Sequence, residues 1–129
     1  MANTELAITE VMIVDDEQTV RMTLKAVLQR LGVIKIYEEK SGEKAVAQLK
    51  SVAPQLVLLD INMEGMTGLE TLKAIKKENK DIIVVMISGD AVLDNIKKAL
   101  ELGAKDFIAK PFVPKKVVER LSKLLKTGK

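Results

Sequence analysis

The chain has 129 residues, a length that suits one domain with a buried core, and it contains neither cysteine nor histidine. These absences exclude disulfides, thiolate catalysis and zinc–sulfur sites, so any chemistry must use carboxylates, hydroxyls, lysines and backbone groups. The net charge is +3, but aromatic residues make up only 2% of the sequence, so a nucleic-acid partner that would need stacking side chains is not expected.

The chain begins with a predicted strand and helix. Residues 11–14 form a continuous apolar run, as in a strand buried on both faces of a parallel sheet. Apolar side chains at helical spacing then run from Val20 to Leu31, and Gly32 is placed to end that helix. Residues 34–37 alternate between apolar and polar side chains, which favours a strand at the edge of the sheet.

The same alternation continues through the middle of the chain. Residues 45–49 indicate a second helix that ends before Pro54, and residues 56–59 form a third apolar run. Residues 67–70 match a capping box, which opens a third helix that continues through Ile75.

A fourth and a fifth strand are predicted at residues 82–87 and 107–109. Between them, Asp90 is a candidate N-cap for a fourth helix, which Gly103 ends. The apolar side chains of this helix are Val92, Leu93, Ile96 and Leu100.

The last predicted helix has Pro114 in its first turn and an apolar stripe over residues 117–125. Much of the positive charge of the chain lies here: Lys115, Lys116, Arg120, Lys123, Lys126 and Lys129. Charge runs of this kind are usually solvated helix faces, so this one is interpreted as a solvated face and not as a nucleic-acid footprint.

Alternating strands and helices predict an α/β fold with a doubly wound, five-stranded parallel sheet and five helices. The strand order that we expect is the flavodoxin-like order 2-1-3-4-5. No apolar run approaches the length of a membrane span, and the N-terminus does not resemble a secretory signal. The sequence therefore predicts a soluble, cytoplasmic protein.

Polar side chains follow the ends of the predicted strands. Asp15 and Asp16 follow the first strand, Asp60 closes the third, Ser88 closes the fourth and Lys110 follows the fifth. In this order the first and third strands are neighbours, and the chain adds later strands on one side of this pair and the second strand on the other. Ligands bind at the carboxyl ends of the strands at such a reversal of strand order. We therefore expect these five side chains to converge at one edge of the sheet.

Such a cluster has a chemical use. Three carboxylates repel one another unless a pKa rises or a cation binds, and oxygen ligands without histidine or cysteine suit Mg²⁺ or Mn²⁺. An aspartate can attack phosphorus to give an acyl phosphate, and the phosphoryl oxygens then need a metal, an amine and a hydroxyl around them. Asp60, Lys110 and Ser88 supply these groups.

From about residue 11 to residue 125 the chain resembles the receiver domains of response regulators. The resemblance rests on four segments in order, at residues 11–17, 56–60, 86–89 and 103–112. It implies one receiver domain over residues 1–129, with a core at about 8–126.

The resemblance also implies roles for the clustered residues. Asp60 matches the phosphoacceptor, with Asp16 as a direct metal ligand and Asp15 acting largely through water. The backbone carbonyl of Asn62 matches a further metal ligand.

Three later residues match the groups that sense the phosphoryl group. Ser88 matches the switch hydroxyl, Phe107 the switch aromatic and Lys110 the lysine that contacts the phosphoryl group. The Lys110–Pro111 bond matches a peptide bond that is typically cis in the family.

Two features near the acceptor bear on the lifetime of the phosphoryl group. Glu64 stands where the family usually has proline, which frees the loop and adds an acid. Asn62 and Asp90 flank the expected path of the attacking water, and our hypothesis is that Asp90 orients this water. Asp90 is at least as easily explained as a helix N-cap.

The function implied is that of a phosphorylation-controlled binding module, which catalyses only its own phosphorylation and dephosphorylation. A histidine kinase or phosphotransfer protein would supply the phosphoryl group, and the face of the fourth helix, fifth strand and fifth helix would bind an unidentified protein. The chain resembles stand-alone regulators of the chemotaxis or phosphorelay type, or a receiver excised from a longer transcription factor.

Two other functions stay open. An aspartate-nucleophile phosphatase would need a second acid two residues after Asp60, where this chain has Asn62. A flavin-binding module on the same fold would place a flavin phosphate against an acidic edge, which is electrostatically unfavourable.

Overall fold

The computed structural model describes residues 7–89 and 93–127, in which five strands alternate with five helices. The elements are β1 (Glu10–Val14), α1 (Gln18–Arg30), β2 (Lys35–Glu39), α2 (Gly42–Gln48), β3 (Leu56–Leu59), α3 (Gly68–Glu78), β4 (Ile83–Ser88), α4 (Leu93–Glu101), β5 (Asp106–Ala109) and α5 (Pro114–Thr127). The predicted alternation and number of elements are confirmed. None of the helices in the described ranges is long and apolar enough to cross a bilayer.

The strands form one parallel sheet in the order β2-β1-β3-β4-β5, which confirms the doubly wound, flavodoxin-like topology. β1 and β3 lie side by side at the centre, and Val14 is in register with Leu59. The N–H of Asp60 donates to the carbonyl of Val14 at 3.0 Å. Asp15 and Asp60 therefore leave the sheet at the same level.

Two apolar layers cover the two faces of the sheet. Side chains of β1 alternate between them, with Val11 and Ile13 in the layer under α1 and α5, and Met12 and Val14 in the layer under α2 and α3. All four are fully buried, which explains why the central strands are continuous apolar runs in the sequence. Each fully buried aliphatic side chain of this size contributes about 1.5–3 kcal/mol.

The predicted limits of the edge strand are wrong by one residue at the start and by two at the end, since β2 continues to Glu39. β2 begins at Lys35, and Ile34 is 79% exposed in the connection from α1. The N–H groups of both residues donate to the carbonyl of Thr9, which ends the connection and begins the ladder. An edge strand with half-exposed side chains carries little apolar pattern to mark where it starts.

α4 differs from its predicted apolar stripe. Leu93 and Leu100 are exposed, and the helix instead buries Ala99 against the sheet. Of the other predicted members, Ile96 is half-buried. The predicted members Asp90 and Val92 lie outside the described residues.

Candidate functional site

An acidic trio lies at the carboxyl ends of β1 and β3. Asp15 and Asp60 are buried, whereas Asp16 is exposed. One carboxylate oxygen from each of the three lies within 4.8 Å of the others. Desolvation by burial, together with the charge of Asp15, raises the pKa of Asp60 to about 6. The trio is thus a crowded set of oxygen donors that could hold a metal ion.

Lys110 reaches this trio from the end of β5. Its Nζ lies 2.9 Å from Oδ2 of Asp15, 3.0 Å from Oε1 of Glu17 and 3.4 Å from Oδ2 of Asp60. Burial lowers the pKa of Lys110, but hydrogen bonds to Asp15 and Glu17 and the charges of Asp15 and Asp60 outweigh this, so the pKa is raised. The ammonium therefore stays charged beside Asp60 over the physiological pH range.

The backbone after β5 sets the position of this lysine. The N–H of Lys110 donates to the carbonyl of Ser88 at 2.8 Å, and the peptide bond between Lys110 and Pro111 is cis. Ser88 is fully buried at the end of β4, the strand that pairs with both β3 and β5. Phe107 is half-buried in β5 and packs against the apolar layer that contains Met86.

The loop after β3 is held close to the acceptor. The N–H of Asn62 donates to Oδ1 of Asp60 at 3.4 Å, while the Asn62 side chain is exposed. Thr67 and Glu70 form the predicted capping box at the start of α3, which confirms that prediction. Gly68, the first residue of α3, packs so tightly that a Cβ there would contact the carbonyl of Asp60 and the Cα of Ile61.

A carboxylate from α2 supports the same loop. Oε2 of Glu43 accepts from the N–H of Met66 at 3.0 Å, next to Gly65, whose φ is 77°. That conformation suits glycine, because other residues meet a steric penalty there. Glu64, at the position where the family usually has proline, is exposed.

A second group of charged residues, not predicted from the sequence, lies behind the trio. Glu38, near the end of β2, pairs with the buried Arg21 of α1. The guanidinium of Arg21 also donates to the carbonyl of Asp15. A charged residue on the same helix face as Leu24 and Leu28 was the signal that could have shown this.

The roles predicted for the site residues stay predictions, and Asp90, with its proposed action on water, lies outside the described residues. The second ionic partner of Lys110, Glu17, was not predicted in any role; it is largely exposed, and its N–H donates to Oδ1 of Asp15.

Known proteins resemble the chain over nearly its whole length. Residues 11–122 match the response regulator receiver domain. The chemotaxis protein CheY of Thermotoga maritima is 37% identical over 116 residues, which cover 90% of this chain and 97% of that protein. CheY of Bacillus subtilis is 36% identical over 115 residues, covering 89% and 96%.

Solved structures of receiver proteins also resemble the chain. The chemotaxis protein CheY4 of Vibrio cholerae is 26% identical, superimposes with a TM-score of 0.84, and is matched over 92% of this chain and all of its own. The chain therefore belongs to the response regulator receiver family and is a CheY-like regulatory module of the kind that accepts a phosphoryl group in two-component signalling.

Proposed function

We propose that the chain accepts a phosphoryl group on Asp60 from a histidine kinase or a phosphotransfer protein, with Mg²⁺ as the cofactor. The observation that carries this proposal is the position of the Lys110 ammonium, which lies against both Asp15 and the buried Asp60. A lysine held there can stabilise negative charge on a phosphoryl group that Asp60 carries.

Asp60 acts as the nucleophile. Its carboxylate oxygen attacks phosphorus, the phosphorus–nitrogen bond of a phosphohistidine breaks, and the imidazole leaves with the electron pair of that bond. With a pKa of about 6, Asp60 is mostly ionised at neutral pH and is therefore ready to attack. Lys110 neutralises charge on the phosphoryl oxygens as the group is transferred.

The trio fits a hard divalent cation, since it offers three carboxylates, two of them buried. Asp16 and Asp60 would bind Mg²⁺ directly, Asp15 largely through water, and Asn62 through its backbone carbonyl; Mn²⁺ suits the same donors. When bound, the ion offsets the mutual repulsion of the carboxylates and the charge of the phosphoryl oxygens.

Ser88 and Phe107 couple the phosphoryl site to the surface that binds the partner. The Ser88 hydroxyl bonds the phosphoryl group, and the half-buried ring of Phe107 then turns inward. Phe107, Lys116 and Arg120 line a cavity of about 370 Å³ beside β5 and α5. The exposed Leu93 and Leu100 on α4 add apolar surface. This face, α4-β5-α5, suits a protein partner, whereas neither nucleic acid nor a membrane is expected.

The remaining assignments follow from this role. The chain acts as one receiver unit in the cytoplasm, and its catalysis is limited to its own phosphorylation and slow dephosphorylation.

Phosphorylation by acetyl phosphate tests the proposal. Wild-type protein is incubated with acetyl phosphate and either Mg²⁺ or EDTA, and its intact mass is recorded. We expect the mass to rise by one phosphoryl group in the presence of Mg²⁺ and not in EDTA. Asp60→Asn should show no such gain under either condition. Asp81→Asn, an exposed acid just before β4, is the matched control and should behave as wild type.

Two outcomes would overturn the proposal. One is a mass gain that persists in Asp60→Asn, which would place the phosphoryl group elsewhere. The other is steady turnover of a small phosphoester, which would indicate a phosphatase. A pull-down with the phosphorylated and unmodified forms then identifies partners that depend on the state.

A further inference from the structure

Arg21 is a buried charge that the mechanism above does not use. It lies in the second turn of α1, on the face that packs against the sheet, and its side chain is 9% exposed. Removing a guanidinium from water is costly unless the cation is paired and hydrogen-bonded. The partners of this residue therefore indicate what it does.

The guanidinium of Arg21 links the ends of β1 and β2 through these partners. One guanidinium nitrogen, Nη1, donates to the backbone carbonyl of Asp15 at 2.8 Å. Another, Nε, lies 3.2 Å from Oε1 of Glu38, near the end of β2. The second oxygen of Glu38 pairs with Lys25 at 3.4 Å, at the surface of α1.

The peptide groups of Asp15 are consequently held on both sides. Its N–H donates to the carbonyl of Glu39 at 3.1 Å, and its carbonyl accepts from Arg21. The carbonyl of Asp15 belongs to the peptide unit that leads into Asp16. Fixing this unit fixes the direction in which both acidic side chains leave the backbone.

We propose that Arg21, anchored by Glu38, is a positioning residue that presents Asp15 and Asp16 to the divalent ion. This inference rests on the proposed function, because it assumes that the acidic trio binds Mg²⁺. Arg21 itself touches neither the ion nor the phosphoryl group. It acts by holding the backbone from which two of the carboxylates project.

A purely structural ion pair would behave differently. In that case, loss of Arg21 would lower the melting temperature and leave the Mg²⁺ affinity of the folded protein unchanged. A positioning role predicts weaker Mg²⁺ binding in protein that is still folded, because ligands that are not preorganised must be ordered on binding.

The test measures the Mg²⁺ dissociation constant by isothermal titration calorimetry, with no phosphodonor present. The variants are Arg21→Met, Arg21→Lys and Glu38→Gln, and circular dichroism checks that each is folded at the titration temperature. We expect about 10-fold weaker binding for Arg21→Met. We expect smaller losses for the other two, because a lysine at position 21 reaches one partner at a time, and an uncharged amide at position 38 anchors the guanidinium only weakly.

The matched control is Lys25→Ala, which removes the exposed partner of the same glutamate without touching the bond to Asp15. It should bind Mg²⁺ within about two-fold of wild type, as expected for an exposed ion pair. If Arg21→Met does not fold, Arg21→Lys and Glu38→Gln decide the question.

The result that overturns the inference is wild-type Mg²⁺ affinity in the folded variants of Arg21 and Glu38. This failure is distinct from failure of the proposed function. If wild-type protein itself binds no Mg²⁺ or is not phosphorylated on Asp60, the proposed function is wrong. If wild-type protein does both and the variants bind as tightly, only the positioning role is wrong.

Discussion

Lys110 lies closer to Asp15 than to Asp60: its Nζ is 2.9 Å from Oδ2 of Asp15 and 3.4 Å from Oδ2 of Asp60. The lysine is thus anchored by one carboxylate and remains within reach of the other. In the proposed reaction Asp60 replaces its own negative charge with that of a phosphoryl group, and the ammonium can stay in place throughout. A metal ion held by the trio would share the carboxylate of Asp15 with Lys110.

Replacing Lys110 should therefore change the phosphorylation rate and the Mg²⁺ affinity in opposite directions. Lys110→Met should slow phosphorylation of Asp60 by about 100- to 1,000-fold, because a preorganised cation at the phosphoryl oxygens is lost. Mg²⁺ should bind more tightly, because the ammonium no longer competes for Asp15. Intact mass over time gives the rate, and calorimetry gives the affinity. Lys105→Met, in the exposed turn before β5, is the control, and an unchanged rate in Lys110→Met would contradict the assignment.

The raised pKa of Asp60 predicts a pH-dependent stability. The folded-state pKa is about 6, above the ordinary value of about 3.9, so folding disfavours the ionised form. In metal-free protein this destabilisation is absent below about pH 4, grows as pH rises to about 6, and is constant above that. Asp60→Asn removes it and should raise the free energy of unfolding by about 1–3 kcal/mol at pH 8 but little at pH 4.

Urea denaturation in EDTA at several pH values measures this difference, with Asp81→Asn as the exposed control. The difference in the free energy of unfolding between wild type and Asp60→Asn is the quantity that decides. If it does not vary with pH, or is larger at pH 4 than at pH 8, burial of the ionised Asp60 carboxylate does not destabilise the fold.

Glu17 is expected to slow phosphorylation by anionic donors. Its carboxylate lies 3.0 Å from the Lys110 ammonium and adds negative charge beside the proposed phosphoacceptor site, which would repel an anionic donor. Glu17→Gln should therefore react with acetyl phosphate about 2- to 5-fold faster at low salt, and the gain should shrink at about 1 M salt, because exposed charges are screened. Glu78→Gln, at the far end of α3, is the control. A gain that is independent of salt would point to a steric effect instead.

Gly68 should tolerate no side chain. A Cβ there would contact the backbone of Asp60 and Ile61, which cannot move aside as a flexible side chain can. Gly68→Ala should destabilise the fold by about 1–3 kcal/mol, although alanine is the better helix former. The matched control is Gly89→Ala, whose Cβ would meet only Cβ of Lys110, at 3.9 Å, among the residues that the structure describes. Equal stabilities in urea denaturation would contradict the close packing of α3 on the acceptor.

Much of this site could be predicted from sequence because strand ends are easy to find. Central strands are continuous apolar runs, and each polar residue that follows one must lie at the same edge of a parallel sheet. That reasoning places Asp15, Asp60 and Lys110 together, as the structure does. It says nothing of residues that reach the site from elsewhere in the fold, which is why Arg21 and Glu38 were missed.

Packing detail was the other part that pattern could not supply. The helical spacing of Leu93 and Leu100 is the same whether a helix buries them or, as here, turns Ala99 inward and leaves them exposed. Likewise, the need for glycine at residue 68 arises from the closeness of α3 to the end of β3, a distance that the sequence does not encode locally.

The most direct test of the central claim is a crystal structure of the protein with Mg²⁺ and beryllofluoride, a mimic of the phosphoryl group. We predict beryllium bound to a carboxylate oxygen of Asp60, Mg²⁺ among Asp15, Asp16 and Asp60, and the Lys110 ammonium against a fluoride. Beryllofluoride on another residue, or Lys110 turned away from the adduct, would contradict the account.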